Sequence, residues 1–306
     1  MPHRPDPAPA PPPEIGALHE RVLRFYAEQA RDLPWRTPGV SPWGVLVSEI
    51  MLQQTPVLRV LPRWREWMER WPTPGDLAAA PPGDAVRHWD RLGYPRRALR
   101  LHAAAVAIVE QHGGEVPADH AALLALPGIG VYTAAAVAVF AFGQRHAVVD
   151  TNVRRVLARA VTGDAEPAPA LTRAESRLAE EVLPDDRPTA ARWSIAVMEL
   201  GALVCTARSP RCDACPIADL CRWTRRGRPA STGPARRGQA WAGTDRQVRG
   251  RLLAVLREAP GPVTPDILQA AWTTDPVQRE RCLDSLVADG LVEPLEDGTF
   301  TLPRTR

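Results

Sequence analysis

Lysine is absent from this chain: all 38 residues in the lysine-plus-arginine count are arginine. That excludes chemistry that starts from a side-chain amine, a Schiff base above all, because arginine does not deprotonate in proteins. A GC-rich genome accounts for the bias, and for the excess of alanine and proline. No apolar run approaches the ~20 residues of a membrane-spanning helix, and no signal-peptide pattern opens the chain, so the expected location is cytoplasmic. Strand-type alternation is missing before residue 290, which leaves the first 220 residues to helices. Cysteine is sparse, five in 306 residues, yet four of the five fall in one short loop.

What is present is a mildly basic chain, net charge +3 and pI near 8.8, long enough for a large domain plus a small one. Residues 1–13 are Pro- and Ala-rich and read as a disordered tail. Helical periodicity covers 14–31, the stretch after Pro42, 62–71, 84–92, 97–112, 152–160, 172–182 and 189–203. The helix after Pro42 is largely apolar and carries Glu49. Leu126-Pro-Gly-Ile-Gly130 separates two short apolar helices, 121–126 and 133–142. A helix, a Gly-x-Gly turn and a second helix aim bare backbone N–H groups at one spot, an anion site for which DNA phosphate is the leading candidate. A plain tight αα-hairpin is the competing reading. Asp150 follows shortly and has two possible roles, a carboxylate beside a bound phosphodiester and the N-cap of the next helix.

Cys205, Cys212, Cys215 and Cys221 form C-x6-C-x2-C-x5-C. In a cytoplasmic chain this means metal rather than disulfides. Zinc is one reading, but zinc ribbons present two separated C-x2-C knuckles, and a compact four-thiolate loop favours a [4Fe–4S] cluster. Arg208 and Arg211 sit inside the loop and suggest phosphate contacts, whereas 225–243 reads as a solvated basic linker. From 245 three helices and a β-hairpin around Glu296-Asp297-Gly298 give a winged-helix pattern, and Cys282 reads as a core thiol.

Taken in order, Leu33-Pro-Trp-Arg36, Ser48-Glu-Ile-Met-Leu-Gln-Gln-Thr55, Leu92-Gly-Tyr94, Leu126-Pro-Gly-Ile-Gly130, Val149-Asp-Thr-Asn-Val-Arg-Arg-Val156 and the four cysteines resemble the endonuclease III superfamily of DNA glycosylases. Within it, the chain resembles the MutY-type adenine DNA glycosylases over about residues 14–225. The resemblance implies a mainly α, helix-hairpin-helix fold of two lobes, a helical barrel at about 41–144 and a cluster-bearing lobe, with the active site in their cleft. The implied glycosylase domain is 14–224, with its iron–sulfur loop at 205–221, and the residues' own pattern gives 244–306 as a winged-helix-like domain. The implied activity is hydrolysis of the N-glycosidic bond of adenine mispaired with 8-oxoguanine or guanine in double-stranded DNA. The enzyme is expected to be a monomer, nucleoid-associated, with a [4Fe–4S] cofactor.

The chemistry places roles on residues. Adenine leaves readily only after N7 is protonated, so a general acid is needed. Glu49, in an apolar helix, is expected to have a raised pKa. The resemblance gives Asp150 the stabilisation of the oxocarbenium-like sugar and Asn152 the part of its helper, a two-carboxylate logic shared with glycoside hydrolysis. Tyr132 occupies the position of the lysine in bifunctional relatives, which implies a monofunctional enzyme that leaves an abasic site. Gln54 resembles a helix-end wedge with Gln53 beside it. Trp35, Arg36 and Tyr132 resemble residues around the extruded base, Tyr94 is the first of the family's usual two tyrosines, and Gly128 and Gly130 form the hairpin.

There are departures. Pro95 stands where the second tyrosine is common, Ile195 replaces a polar base contact with Glu199 one turn on, and Thr151 replaces a glycine. Residues 245–306 are too short for the family's 8-oxoguanine-reading domain, so opposite-base specificity is expected to be weaker or differently built. The competing functions are a monofunctional thymine or uracil mismatch glycosylase, opposed by Glu49 because pyrimidines lack N7, and a non-catalytic iron–sulfur DNA-binding protein, opposed by two intact carboxylates.

Overall fold

The computed structural model describes residues 14–231, 233 and 241–304. The expected tail at 1–13 and most of the expected linker lie outside the described residues. In chain order the helices are α1 (Ile15–Gln29), α2 (Pro42–Leu52), α3 (Val57–Arg70), α4 (Pro74–Ala79), α5 (Pro82–Trp89), α6 (Arg96–His112), α7 (His120–Ala125), α8 (Val131–Phe140), α9 (Thr151–Leu157), α10 (Arg173–Glu181), α11 (Arg187–Leu203), α12 (Arg222–Arg225), α13 (Asp245–Glu258), α14 (Pro265–Ala271) and α15 (Pro276–Ala288). Strands β1 (Glu293–Pro294) and β2 (Phe300–Thr301) pair antiparallel, Glu293 facing Thr301. The chain forms two compact units: residues up to Pro38 with Ala134–Ala235, and Gly39–Thr133 with Arg236–Arg306.

In the unit built on Gly39–Thr133, α2 is capped by Ser41, whose side chain accepts from Gly44 N, and has Pro42 in its first turn. Its residues from Trp43 to Met51 are all buried, as an all-round apolar helix requires. Trp67 packs edge-to-face on Trp71 and Trp89 at centroid distances of 4.8 and 5.6 Å. The indole N–H groups are satisfied by carbonyls: Trp64 by Gly44 at 2.8 Å and Trp67 by His88 at 3.0 Å. The helix expected at 62–71 begins instead at Val57 and contains Pro62. The proline denies a hydrogen bond to the carbonyl four residues back, on Leu58, whose side chain is among the most exposed apolar groups in the chain, so water can serve that carbonyl.

Residues 241–304 fold as three helices and a hairpin. Val248, Leu252, Leu256, Leu268, Cys282 and Leu286 form the core, with Val263 bridged to Phe300. This module joins the same unit through α5. Gly83 N donates to Pro303 O at 2.7 Å, Arg257 Nε to Val86 O at 2.9 Å, and Arg87 to the carbonyls of Arg257 and Ala259. Any side chain at Gly83 would meet Pro303 O at 2.5 Å.

In the other unit, Leu18, Val22 and Phe25 of α1 pack with Trp193, Ala196 and Leu200 of α11. Helix α9 also lies on α11, close enough that a Cβ on Gly201 would fall 2.7 Å from Asn152 Cβ. It continues as a π-helical turn over Ala158–Thr162 that ends at Gly163 in the left-handed region. Thr172 and Glu175 form a reciprocal capping box on α10.

Candidate active site and iron–sulfur loop

In the unit built on Gly39–Thr133, Glu49 is buried in α2, and its Oε2 accepts a hydrogen bond from Tyr132 Oη at 2.9 Å. Tyr132 lies in the first turn of α8, immediately past the hairpin. Thr133 beside it accepts from Gln53 Nε2 at 3.2 Å, so the end of α2 and the start of α8 are tied at two points. Gln54 and Tyr94 are exposed and both take left-handed backbone conformations, φ 54° and 47°. Such a conformation is costly for a residue other than glycine.

The two hairpin glycines serve different ends. Gly128 has φ 75°, and a Cβ there would sit 2.6 Å from Arg100 Cβ, so glycine is required by the fold itself. Gly130 has no left-handed φ and nothing within 4 Å of where its Cβ would be. Close packing against α6 thus requires glycine at Gly128 alone. At Gly130 the bareness of the backbone faces open space.

In the unit that contains α1 and α11, Asp150 caps α9, its Oδ1 accepting from Val153 N at 2.6 Å. Its Oδ2 accepts from Asn152 Nδ2 at 2.8 Å, and Asn152 Oδ1 accepts in turn from Arg155 Nη2 at 2.7 Å. Arg155 also donates to Gly201 O and Cys205 O, both at 2.7 Å. One run of hydrogen bonds therefore joins Asp150 to the backbone of the first cysteine. Burial pushes the Asp150 carboxyl above the usual range, against its hydrogen bonds from Val153 and Asn152 and the Arg155 charge. The side chain is nonetheless partly exposed, so the group is deep but reachable.

Trp35 is buried and Arg36 half-buried, and Arg36 is not free to meet a ligand alone. Its Nη1 lies 3.0 Å from Oε2 of Glu199, which is fully buried and also takes a two-pronged pair of bonds from Arg31 at 2.7 Å. Burial would raise the Glu199 carboxyl, but the Arg31 hydrogen bonds and the Arg36 charge outweigh it and hold it at about 2. Glu199 is thus committed to two arginines and does not replace the polar contact missing at Ile195.

The four cysteines line one cavity together with Leu200, Ile217 and Trp223. Among the described residues no three or more His, Cys, Asp or Glu are grouped to hold a single metal ion. Four thiols on one apolar cavity are a donor set that fits an iron–sulfur cluster. Burial pushes the Cys215 thiol up to about 12 and that of Cys205 above its usual value, so thiolates there need the positive charge of bound iron. Arg159, buried against the Trp223 ring at 4.8 Å, donates to Cys205 Sγ at 3.4 Å. Arg208 is exposed, whereas Arg211 donates to Leu203 O at 2.5 Å and so braces the loop. Arg97, Arg155 and Arg159 were not legible as site residues. Arg97 is one of three arginines at the start of α6 and Arg155 follows Arg154, so sequence does not single out the buried one.

The pattern of the HhH-GPD superfamily of base excision DNA repair proteins matches residues 47–181, and that of the iron–sulfur binding domain of endonuclease III matches residues 205–221. The chain is 55% identical over 305 residues to the adenine DNA glycosylase of Mycobacterium tuberculosis, covering 99% of both chains. It belongs to the adenine DNA glycosylase family. A second family member, from Mycolicibacterium smegmatis, is 57% identical over 281 residues, with 92% of this chain and 94% of that protein covered. The human adenine DNA glycosylase is 41% identical over 218 residues, 68% of this chain but only 40% of that protein. The C-terminal module is thus shared with the mycobacterial members of the family. Among solved structures, a thermostable thymine-DNA glycosylase aligns with a TM-score of 0.61 at 28% identity over 69% of this chain and 96% of its own. A trapped endonuclease III–DNA covalent intermediate aligns with a TM-score of 0.60 at 24% identity over 70% of this chain and 96% of its own, a likeness of fold. The glycosylase family and the iron–sulfur loop expected from the sequence are borne out.

Proposed function

We propose that the chain is a monofunctional adenine DNA glycosylase that hydrolyses the N-glycosidic bond of adenine mispaired with 8-oxoguanine or guanine. The observation that carries this reading is the buried Glu49 carboxyl with a tyrosine hydroxyl on it, at the position where an amine would make a lyase. Glu49 delivers a proton to N7 of the extruded adenine, and the C1′–N9 bond breaks with its electron pair leaving on the base. Asp150, held by Val153 N and Asn152, faces the developing positive charge on the sugar as an anion. A carboxylate already disfavoured by burial gains most from a cation formed beside it, and that gain is made in the transition state. Water adds at C1′ and gives its proton to the Glu49 carboxylate, which restores the acid and leaves free adenine and an abasic site.

Gln54 and Tyr94 enter the duplex to free the base, with Gln53 beside the wedge, and Trp35 and Arg36 act on the extruded base. Gly128 shapes the hairpin and Gly130 lets its backbone reach a phosphate. Cys205, Cys212, Cys215 and Cys221 would hold the cluster, which when bound cross-links the loop and presents Arg208 to the DNA backbone. Residues 14–224 form the catalytic part and 244–306 an appended module, in a monomer working on the nucleoid in the cytoplasm.

The test is base release from duplexes carrying A·8-oxoG, A·G, T·G, U·G and A·T, with and without alkali, by the wild type and Glu49→Gln. Adenine release from the first two, with strand breaks only after alkali and lost in E49Q, is expected. Release of thymine or uracil, or unchanged release by E49Q, would overturn the assignment.

A further inference from the structure

Arg97, near the start of α6, is almost fully buried, and its guanidinium is spent on backbone. Nη1 donates to Ile50 O at 2.7 Å, Met51 O at 3.2 Å and Gln53 O at 2.6 Å, closing the carbonyl end of α2. Nη2 donates to Thr55 Oγ1 at 3.1 Å and Gly93 O at 3.0 Å. Thr55 Oγ1 also lies 3.1 Å from Leu92 O, so both turns meet at this pair. The guanidinium carbon lies 5.2 Å from the Trp89 ring centre and 5.6 Å from that of Tyr94. Among the described residues no carboxylate pairs with it; helix-end carbonyls and ring faces carry its charge. Gln54 sits between two of its anchors, Gln53 and Thr55, and Tyr94 follows a third, Gly93. Those two exposed residues are the ones held at φ 54° and 47°.

We infer that Arg97 is a positioning residue for mismatch interrogation: one buried guanidinium fixes the Gln54 and Tyr94 tips in their strained conformations and at a set spacing before DNA arrives. The inference rests on the reading of Gln54 and Tyr94 as the residues that enter the duplex. Tips ordered in advance let binding energy go into unstacking the target base, and that advantage vanishes when the base is already unstacked. Lysine cannot substitute, because a single ammonium lacks the planar fork that spans two turns.

The experiment measures single-turnover adenine release by the full-length wild type and Arg97→Lys on two duplexes. One holds a stacked A·G pair, and the other the same adenine opposite an abasic gap. The expected result is a fall of about tenfold or more on the stacked duplex and less than about twofold on the gapped one. An equal fall on both would show that Arg97 acts by holding α2 and Glu49, and no fall on either would show that it holds nothing that matters; each overturns the inference. Thr55→Val, which cuts the link between the turns and leaves α2 closed, is expected to shift the same ratio about threefold even if R97K does not fold. An unchanged ratio in T55V counts against the inference. A wild type that releases no adenine from either duplex overturns the proposed function and this inference together, whereas wild-type release with an unmoved ratio overturns the inference alone.

Discussion

Gly130→Ala separates folding from the proposed phosphate binding, because of the two hairpin glycines only Gly128 is required by the fold. At Gly130 an added methyl meets nothing within 4 Å and the backbone conformation is ordinary. Removing glycine's freedom from the unfolded chain is worth about 0.4–1 kcal/mol, so G130A is expected to be as stable as the wild type or slightly more so. The same methyl occupies the space through which a phosphate oxygen would reach the N–H groups at the start of α8. One such hydrogen bond to a charged oxygen is worth about 1.5–3 kcal/mol, so affinity for duplex DNA should fall about tenfold to a hundredfold. Gly128→Ala is the control: a left-handed φ of 75° and a Cβ 2.6 Å from that of Arg100 predict a loss of about 1–3 kcal/mol of stability. Thermal unfolding and fluorescence anisotropy at one fixed salt concentration read both quantities. A G130A protein that binds DNA as tightly as the wild type would refute the reading of this hairpin as a phosphate site.

Further outcomes are expected elsewhere. Asp150→Asn should abolish base release yet keep or raise stability at neutral pH. A carboxyl whose folded pKa is raised weakens the fold as pH climbs above its unfolded value, and asparagine caps α9 as well as aspartate; a destabilised D150N at pH 7 would contradict this. Glu199, held at about 2, contributes stability that is fully present above about pH 4.5 and lost as pH falls towards 2. Glu199→Gln should therefore flatten acid unfolding in that window, while leaving Arg31 and Arg36 uncompensated at a cost of about 3–5 kcal/mol. Arg155→Gln should lower the release rate without changing which base is released, and an unchanged rate would show that the Asn152 link is dispensable. Cys215→Ser should lose bound iron and, with it, salt-sensitive DNA affinity, both measurable on the purified protein.

The sequence carried the helices well because their signals are local. Ser41, Asp150, Asp186 and Asp275 each accept from a backbone N–H three residues on, as their place before a helix suggests. It also carried the cysteine loop, whose residue type and spacing announce a cluster, and it placed Glu49 in the apolar helix and Asp150 at the helix start where the structure has them. The partners of buried arginines were out of reach. Arg97 binds carbonyls 44–47 positions back, and Glu199 binds Arg31 across 168 positions, with no local pattern to announce either. Helix α4 is only six residues long, too short to show a period, and the π-turn after α9 looks like plain helix in sequence. The union of 236–306 with 39–133 depends on single atoms such as Gly83 N and Pro303 O.

The interleaving of the two units sets an order for the newborn chain. Helix α1 leaves the ribosome well before its packing partner α11, which begins roughly 160 residues later. At about 5–20 residues per second the apolar stripe of Leu18, Val22 and Phe25 waits about 10–30 s for a surface to cover it. The unit around α2 waits longer still, since the module that docks on α5 begins only at α13. Neither unit can be completed early, which makes the first helix a natural client for a holding chaperone during synthesis.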